Sequence, residues 1–234
     1  MIRQQAIEMY SLYNSETVTK EFNKQKFYCF LQRDLSFPIE GTLKKLKKHE
    51  FLMKEKDTID EICFIRSGCV MAMKKCSRVI DFYTEEDIVG FDELILTESA
   101  KHSFKAISDE VIIIKYKKSE IVEKILNAQE GYLYHYVHMQ NQIRRLLEKE
   151  ALLRLPSEKR VGYALLQIMS GSGIQHKELI TFPKHINKGI LAKYTNLNRN
   201  TVTTVLQKLQ EESIIQIKQR NMYINIVRLQ SQFT

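Results

Sequence analysis

The chain has 234 residues, 44% of them hydrophobic, and a formal net charge of +8, enough for two domains with buried cores. Its longest apolar runs, such as Val111-Ile112-Ile113-Ile114, fall well short of the roughly 20 residues a bilayer crossing needs. Met1–Tyr10 lacks the apolar stretch of a signal peptide, so a cytoplasmic protein without a membrane partner is expected. The charge is uneven: Pro156–Thr234 holds 11 Lys and Arg against 4 Asp and Glu, a net of +7, and the first 155 residues carry +1. A compact basic unit beside a near-neutral one suits a polyanion partner, because each cation placed on a phosphate releases a counterion.

In chain order, Glu8–Tyr13 and Thr19–Leu31 read as helices, and the basic run Lys44–Lys48 as a solvated face. Short β-prone segments then recur at Phe51–Met53, Ile62–Ile65, Val70–Met73, Val79–Tyr83, Asp87–Val89, Phe104–Ile107 and Val111–Tyr116. Turn-like clusters separate them, so a sandwich, roll or barrel is predicted. Cys29, Cys63, Cys69 and Cys76 form no C-x-x-C pair and no metal-finger spacing. They read as small core residues, with redox sensing as the alternative.

From Ser119 to about Leu155 the pattern is helical. Tyr132, Tyr136, Met139, Ile143, Leu146 and Leu153 alternate at 4-3-4-3-7 spacing, interrupted at Glu150. A narrow stripe on a helix that links two domains predicts a two-stranded dimer seam. Glu150 opposite itself in a parallel dimer is a local cost unless the pair splays there or Lys149 or Arg145 compensates. Pro156 ends the helix, Ser157 is the expected N-cap of a helix to Met169, and Ser170–Gly173 reads as a flexible connection.

The most informative stretch follows. Asn187 is expected to cap a helix at Lys188–Thr195, Asn196-Leu197-Asn198 a tight turn, and Asn198 the cap of a second helix at Arg199–Glu212. Val202, Val205, Leu206 and Leu209 make its buried face; Arg199, Asn200, Thr203, Thr204 and Gln207 lie opposite. Two helices, a three-residue turn and a polar outer face define a helix-turn-helix. Arg can pair with guanine, Asn with adenine, and threonine methyls can touch thymine. Ile214–Lys218 and Met222–Val227 then alternate as strands around Gln219-Arg220-Asn221, a wing whose Lys218 and Arg220 are placed to reach phosphates.

On these residues the chain resembles the Crp/Fnr superfamily of bacterial transcription regulators. Asp57–Val70 is similar to that family's strand signature, with Lys56 in place of its first glycine; Leu191–Leu209 is similar to its helix-turn-helix pattern. The resemblance implies an α+β fold in three parts. These are a cyclic-nucleotide-binding-like β-roll with flanking helices (1–118), a long dimerisation helix (119–155) and a winged helix-turn-helix (156–234). It puts Arg199, Asn200 and Thr204 at base-reading positions, Asn198 and Thr201 at backbone contacts, and Asn187 near a phosphate. It also implies a homodimer on palindromic promoter sites with half-sites about one helical turn, ~34 Å, apart, and RNA polymerase as a partner if the protein activates.

The family's common Glu and Arg are Asn200 and Thr204 here, so the common half-site is not expected. No arginine lies between Arg78 and Arg144. The loop that holds a cyclic nucleotide's phosphate in family members therefore has only Lys101, a point charge rather than a planar fork. Cys29 stands alone where the oxygen-sensing branch clusters its iron–sulfur ligands. Neither cofactor is expected and no other is identified. The Lys- and Ile-rich composition is similar to regulators of low-GC Gram-positive bacteria, including the glutathione-responsive branch of the listerial virulence regulator. The competing reading is a ligand-binding sensor whose C-terminal domain contacts protein. An enzyme is not expected: there is no phosphate loop or nucleophile elbow, and His135 and His138 read as surface or interface residues, not a metal pair.

Overall fold

The structure, a computed structural model, describes residues 14–33, 39–75, 77–92, 94, 99–128, 130–170 and 179–233. Two short helices come first, α1 (Ser15–Glu21) and α2 (Lys24–Arg33). The Asn14 side chain caps α1 by accepting from the amides of Glu16 and Thr17. The single helix expected at Thr19–Leu31 is thus two, because Phe22 leaves helical backbone at φ −116°, ψ 42°. The helix expected at Glu8–Tyr13 lies outside the described residues.

Eight strands follow: β1 (Thr42–Lys47), β2 (Phe51–Met53), β3 (Glu61–Ser67), β4 (Val70–Lys74), β5 (Arg78–Tyr83), β6 (Ile88–Val89), β7 (Ser103–Ala106) and β8 (Glu110–Lys117). They form two four-stranded antiparallel sheets, ordered β1-β8-β3-β6 and β2-β7-β4-β5. The expected strands are all present, and β1 is added to them. The Lys44–Lys48 run is largely this strand; only Leu46 is buried, while Lys45 and Lys48 pair with Glu110 and Asp109. Between β3 and β4, Gly68 has φ +90° and its missing Cβ would sit 2.5 Å from the Glu110 carbonyl oxygen, so the turn admits no side chain. Lys56, where the resemblance expects glycine, also has positive φ, 75°.

Period-2 alternation sends strand residues to two different cores. Val70, Ala72, Tyr83, Phe104 and Ala106 face the roll interior with Phe27, Phe64 and Phe91. Their neighbours Cys69, Met71, Met73, Phe82 and Ile107 join a second core shared with the C-terminal part of the chain.

The continuous helix expected over 119–155 is broken. It is α3 (Lys118–Asn127) and α4 (Gly131–Arg154). The chain folds back so closely that a Cβ on Gly131 would lie 2.5 Å from the Ile125 carbonyl oxygen, a turn that excludes a straight helix. All six seam positions fall within α4.

Pro156 separates α4 from α5 (Ser157–Ser170). Ser157 is already helical, and the Pro156 carbonyl accepts from the Arg160 amide at 2.8 Å. The connection expected at Ser170–Gly173 falls mostly outside the described residues. Then come β9 (Leu179–Thr181), α6 (Lys188–Thr195), α7 (Arg199–Glu211), β10 (Ile215–Lys218), β11 (Asn221–Asn225) and α8 (Ile226–Phe233). The wing sheet is ordered β10-β11-β9. Neither β9 nor α8 stood out in the sequence. Helix α8 buries Leu229 and Phe233, and the Tyr163 hydroxyl donates to the Phe233 carbonyl at 2.5 Å.

Candidate nucleic-acid interface

The helix-turn-helix is assembled by three asparagines. Asn187 caps α6, its Oδ1 accepting from Gly189 and Ile190 amides at 2.9 and 3.0 Å. Asn196 ends α6 in the left-handed region, φ 53°, a conformation asparagine tolerates. Asn198 caps α7, its Oδ1 accepting from the Thr201 amide at 2.7 Å and the Thr201 hydroxyl at 3.0 Å. Each cap commits its carbonyl oxygen to the helix, which leaves the amide NH2 as a donor at an exposed helix start. Val202, Val205, Leu206 and Leu209 bury the inner face of α7.

Arg199, Asn200, Thr204 and Gln207 are exposed on its outer face, with Thr201 and Thr203 half-buried beside them. The threonine hydroxyls are committed: Thr203 donates to the Arg199 carbonyl at 2.9 Å and Thr204 to the Asn200 carbonyl at 3.1 Å. What these threonines offer outward is a methyl group and an acceptor lone pair. Arg199 and Asn200 make no side-chain interaction with other described residues, so their forked donors are open. Lys208, one turn on, is held by both Glu158 carboxylate oxygens at 2.8 Å, tying α7 to α5.

The wing turns through Gln219 and Arg220, at φ 47° and 66°. Two consecutive residues at positive φ are the signature of a two-residue I′ hairpin, usually built with Asn and Gly. The turn therefore holds strain and presents Arg220 at the tip, with Lys218 exposed one strand position before it.

Helix α4 has two unlike faces. Tyr132, Tyr136, Ile143 and Leu146 are exposed, Tyr136 at 57% and Leu146 at 54%; Leu147, which the stripe did not include, is at 63%. Met139 and Leu153 are half-buried. The other face buries Tyr134, Val137, His138, Lys149 and Leu152. His138 is thus a core residue rather than a surface one, and its ring meets Phe91 at 4.9 Å, as His135 does at 5.2 Å. Burial pushes the His138 imidazole down to about 3, with the Lys24 ammonium next in effect. Glu150 is matched by Arg154 one turn on. The expected compensators are occupied elsewhere: Arg145 binds Asp81 at 2.7 Å, and Lys149 donates to the Tyr194 carbonyl at 2.5 Å.

Sequence reasoning missed that last group. Lys149 and Arg160 hold the end of α6 to its neighbours, Arg160 donating to the Thr195 and Leu155 carbonyls at 3.3 and 2.8 Å. A signal existed: Tyr134, His138, Arg145, Lys149 and Leu152 repeat at helical spacing on the face opposite the seam.

Cys63 and Cys69 are buried and Cys29 is exposed, contrary to a core role for all of them; Cys76 lies outside the described residues. Burial pushes the Cys63 and Cys69 thiols up to about 12, which favours the protonated form. No helix among the described residues is long and apolar enough to cross a membrane.

A β-roll joined to a winged helix-turn-helix with an open recognition face defines a two-domain DNA-binding transcription regulator. The model of the cyclic nucleotide-binding domain matches residues 43–127 and that of the Crp-like helix-turn-helix domain residues 159–231, together about two thirds of the chain. The chain belongs to the Crp/Fnr family of transcription regulators. It is 27% identical over 193 residues to the "Anaerobic regulatory protein" of Bacillus subtilis (strain 168), covering 79% of each. Its fold is similar to FixK2 from Bradyrhizobium japonicum, with TM-score 0.72 and 18% identity over 82% of this chain and 96% of that one. It is likewise similar to a cyclic nucleotide-binding domain containing protein from Listeria monocytogenes EGD-e, with TM-score 0.68 and 17% identity over 87% and 98%.

Proposed function

We propose that this regulator acts in the bacterial cytoplasm as a homodimer on palindromic promoter sites, without a cyclic nucleotide, an iron–sulfur cluster or enzymatic activity of its own. The observation that carries the reading is the exposed apolar face of α4, on a chain whose recognition face is also open. A second copy of the same helix covers such a stripe in a two-stranded seam, and regulators of this family act as dimers. Two copies would then offer two α7 helices to successive major grooves.

In this reading Arg199, Asn200 and Thr204 read base edges, Thr203 lies beside them, and Asn187, Asn198, Thr201, Lys218 and Arg220 hold phosphates. The open fork of Arg199 suits guanine O6 and N7, and the Asn200 amide suits adenine. RNA polymerase is the further partner where the protein activates.

Independence from cyclic nucleotide rests on two features. No arginine is present between Arg78 and Arg144 to clamp a phosphate, and aromatic side chains occupy the roll interior, with the Tyr83 and Phe104 rings 5.4 Å apart. The absence of a cluster rests on the donor set, since Cys29 is exposed and Cys63 and Cys69 are buried in two different cores.

Sedimentation combined with mobility shifts on DNA selected from a random pool tests the proposal. Dimers in solution, an inverted-repeat consensus and binding that weakens steeply with salt are expected. Monomers, or a shift without sequence preference, would refute it. Binding of the C-terminal domain to protein rather than DNA would lack the salt slope.

A further inference from the structure

The junction between α4, β5 and α6 contains an arrangement that DNA contact alone does not require. Lys149, near the end of α4, is only 9% exposed. Its amino group donates to the Tyr194 carbonyl in the last turn of α6 and lies over the Tyr194 ring. The Tyr194 ring also meets Phe82 of β5, with centroids 5.0 Å apart, and the Tyr194 hydroxyl donates to Gln167 of α5 at 3.1 Å. The Phe82 carbonyl in turn accepts from Arg145 of α4 at 2.7 Å. A buried lysine is costly unless its amino group has a defined partner. Here the partner is a carbonyl at the negative end of a helix, where a donor is favoured.

The location gives the contact its consequence. Lys149 follows the seam residue Leu146 by three positions, so both ride on neighbouring turns of one helix. Helix α6 carries α7 with it, because Asn196 to Asn198 form a tight turn and the Leu197 amide donates to the Ala192 carbonyl at 3.0 Å. A rigid path therefore runs from the seam through Lys149 to the recognition helix.

We infer that Lys149 is the positioning residue that locks the helix-turn-helix to the seam helix and so sets which half-site separation the dimer accepts. This rests on the homodimer reading above. Lys149 touches no DNA in this scheme; it acts through Tyr194.

The test uses the full-length protein and duplexes built on the half-site recovered by selection: a single half-site, the recovered palindrome, and palindromes with one or two base pairs added to or removed from the spacer. The wild type should bind the recovered spacing at least about tenfold more tightly than the altered ones. Lys149→Met, which keeps the apolar stem, should bind the single half-site as the wild type does but lose most of that tenfold preference. Lys149→Arg should restore it, since a guanidinium can again donate to the carbonyl. Lys149→Gln, with a donor but shorter reach, should fall between and serves if the Met variant does not fold. Unchanged spacing discrimination in Met or Gln variants that still dimerise overturns the inference while leaving the homodimer intact. A wild type indifferent to spacing overturns the homodimer reading and the inference with it.

Discussion

The roll and the winged helix keep the same family plan in different ways. In the winged helix, the side chains that the plan exposes remain free: Arg199 and Asn200 have no partner among the described residues. In the roll, the interior is occupied by aromatic contacts, Phe27 on Phe91 at 4.5 Å and Tyr83 on Phe104 at 5.4 Å. A packed apolar core maintains a fold, whereas unpaired polar groups on a surface contribute to binding an external partner. The contrast is between packed rings that hold the roll together and open donors that face outward from the winged helix.

The largest expected effect breaks the proposed seam, through which two reading units would be joined. Changing Tyr136, Met139 and Ile143 to polar residues removes apolar area from α4 without touching its buried face. Dimers should disappear in sedimentation, and affinity for a palindrome should fall toward the non-specific level, roughly 10³-fold or more. Retention of dimers would show that the exposed stripe has another role. Next in size, Arg199→Ala should cost about 1–3 kcal/mol on the selected site and relax specificity at one base pair per half-site, with the melting temperature nearly unchanged. A uniform weakening across sequences would instead make Arg199 a phosphate contact.

How much of this was legible in the sequence follows the same division. Local rules determine the reading end: Asn187 and Asn198 cap helices through their own neighbours, and Asn196 takes the left-handed turn. Their spacing therefore predicted α6 and α7 to within a residue. Long-range contacts determine what was missed. The break before Gly131 depends on its approach to Ile125, and β1 depends on pairing with β8, which the reading of its basic run as a solvated face did not include. Strand alternation identified the elements of the roll, but not that one set of alternate residues, Met71, Met73 and Phe82, would be covered by the winged helix. The spacing of Lys149 marked its face of α4 but not its partner, since the carbonyl it serves lies 45 positions away.

A third, smaller effect bears on that junction. Burial lowers the Lys149 ammonium to about 6 from its ordinary 10.5; Asp81 opposes the shift and Arg78 adds to it. The neutral amine still donates to the Tyr194 carbonyl, so the junction survives the change of charge. Between those two values the unfolded chain holds a proton that the folded chain does not. Folding stability therefore rises with pH across the window, and the gain disappears as pH falls to about 6. The slope from one group cannot exceed about 1.4 kcal/mol per pH unit. Chemical denaturation from pH 6.5 to 9.5 should show a rise in wild type that is flattened in Lys149→Met. Equal slopes would mean that the ammonium reaches solvent. Below that range His138, lowered to about 3, makes stability fall further with acid in both proteins.

The smallest effect separates positioning from reading at the wing. Arg220 stands at the tip of a turn whose two residues both have positive φ, and neither it nor Lys218 is paired within the described chain. If each holds one phosphate, Arg220→Ala should reduce the slope of log affinity against log salt by about 0.9 for the one phosphate it no longer neutralises. Affinity should fall by the same few-fold factor on every sequence, because a phosphate carries no base identity. The strained turn adds a control. Gln219→Gly relieves the backbone at its first residue but leaves Arg220 in place, so it should raise stability while preserving the salt slope. If it lowered the slope as well, the strain itself would be holding Arg220 in register with the backbone of the DNA. The wing would then resemble the Lys149 junction, where fixed geometry rather than an added contact determines what the reading face can reach.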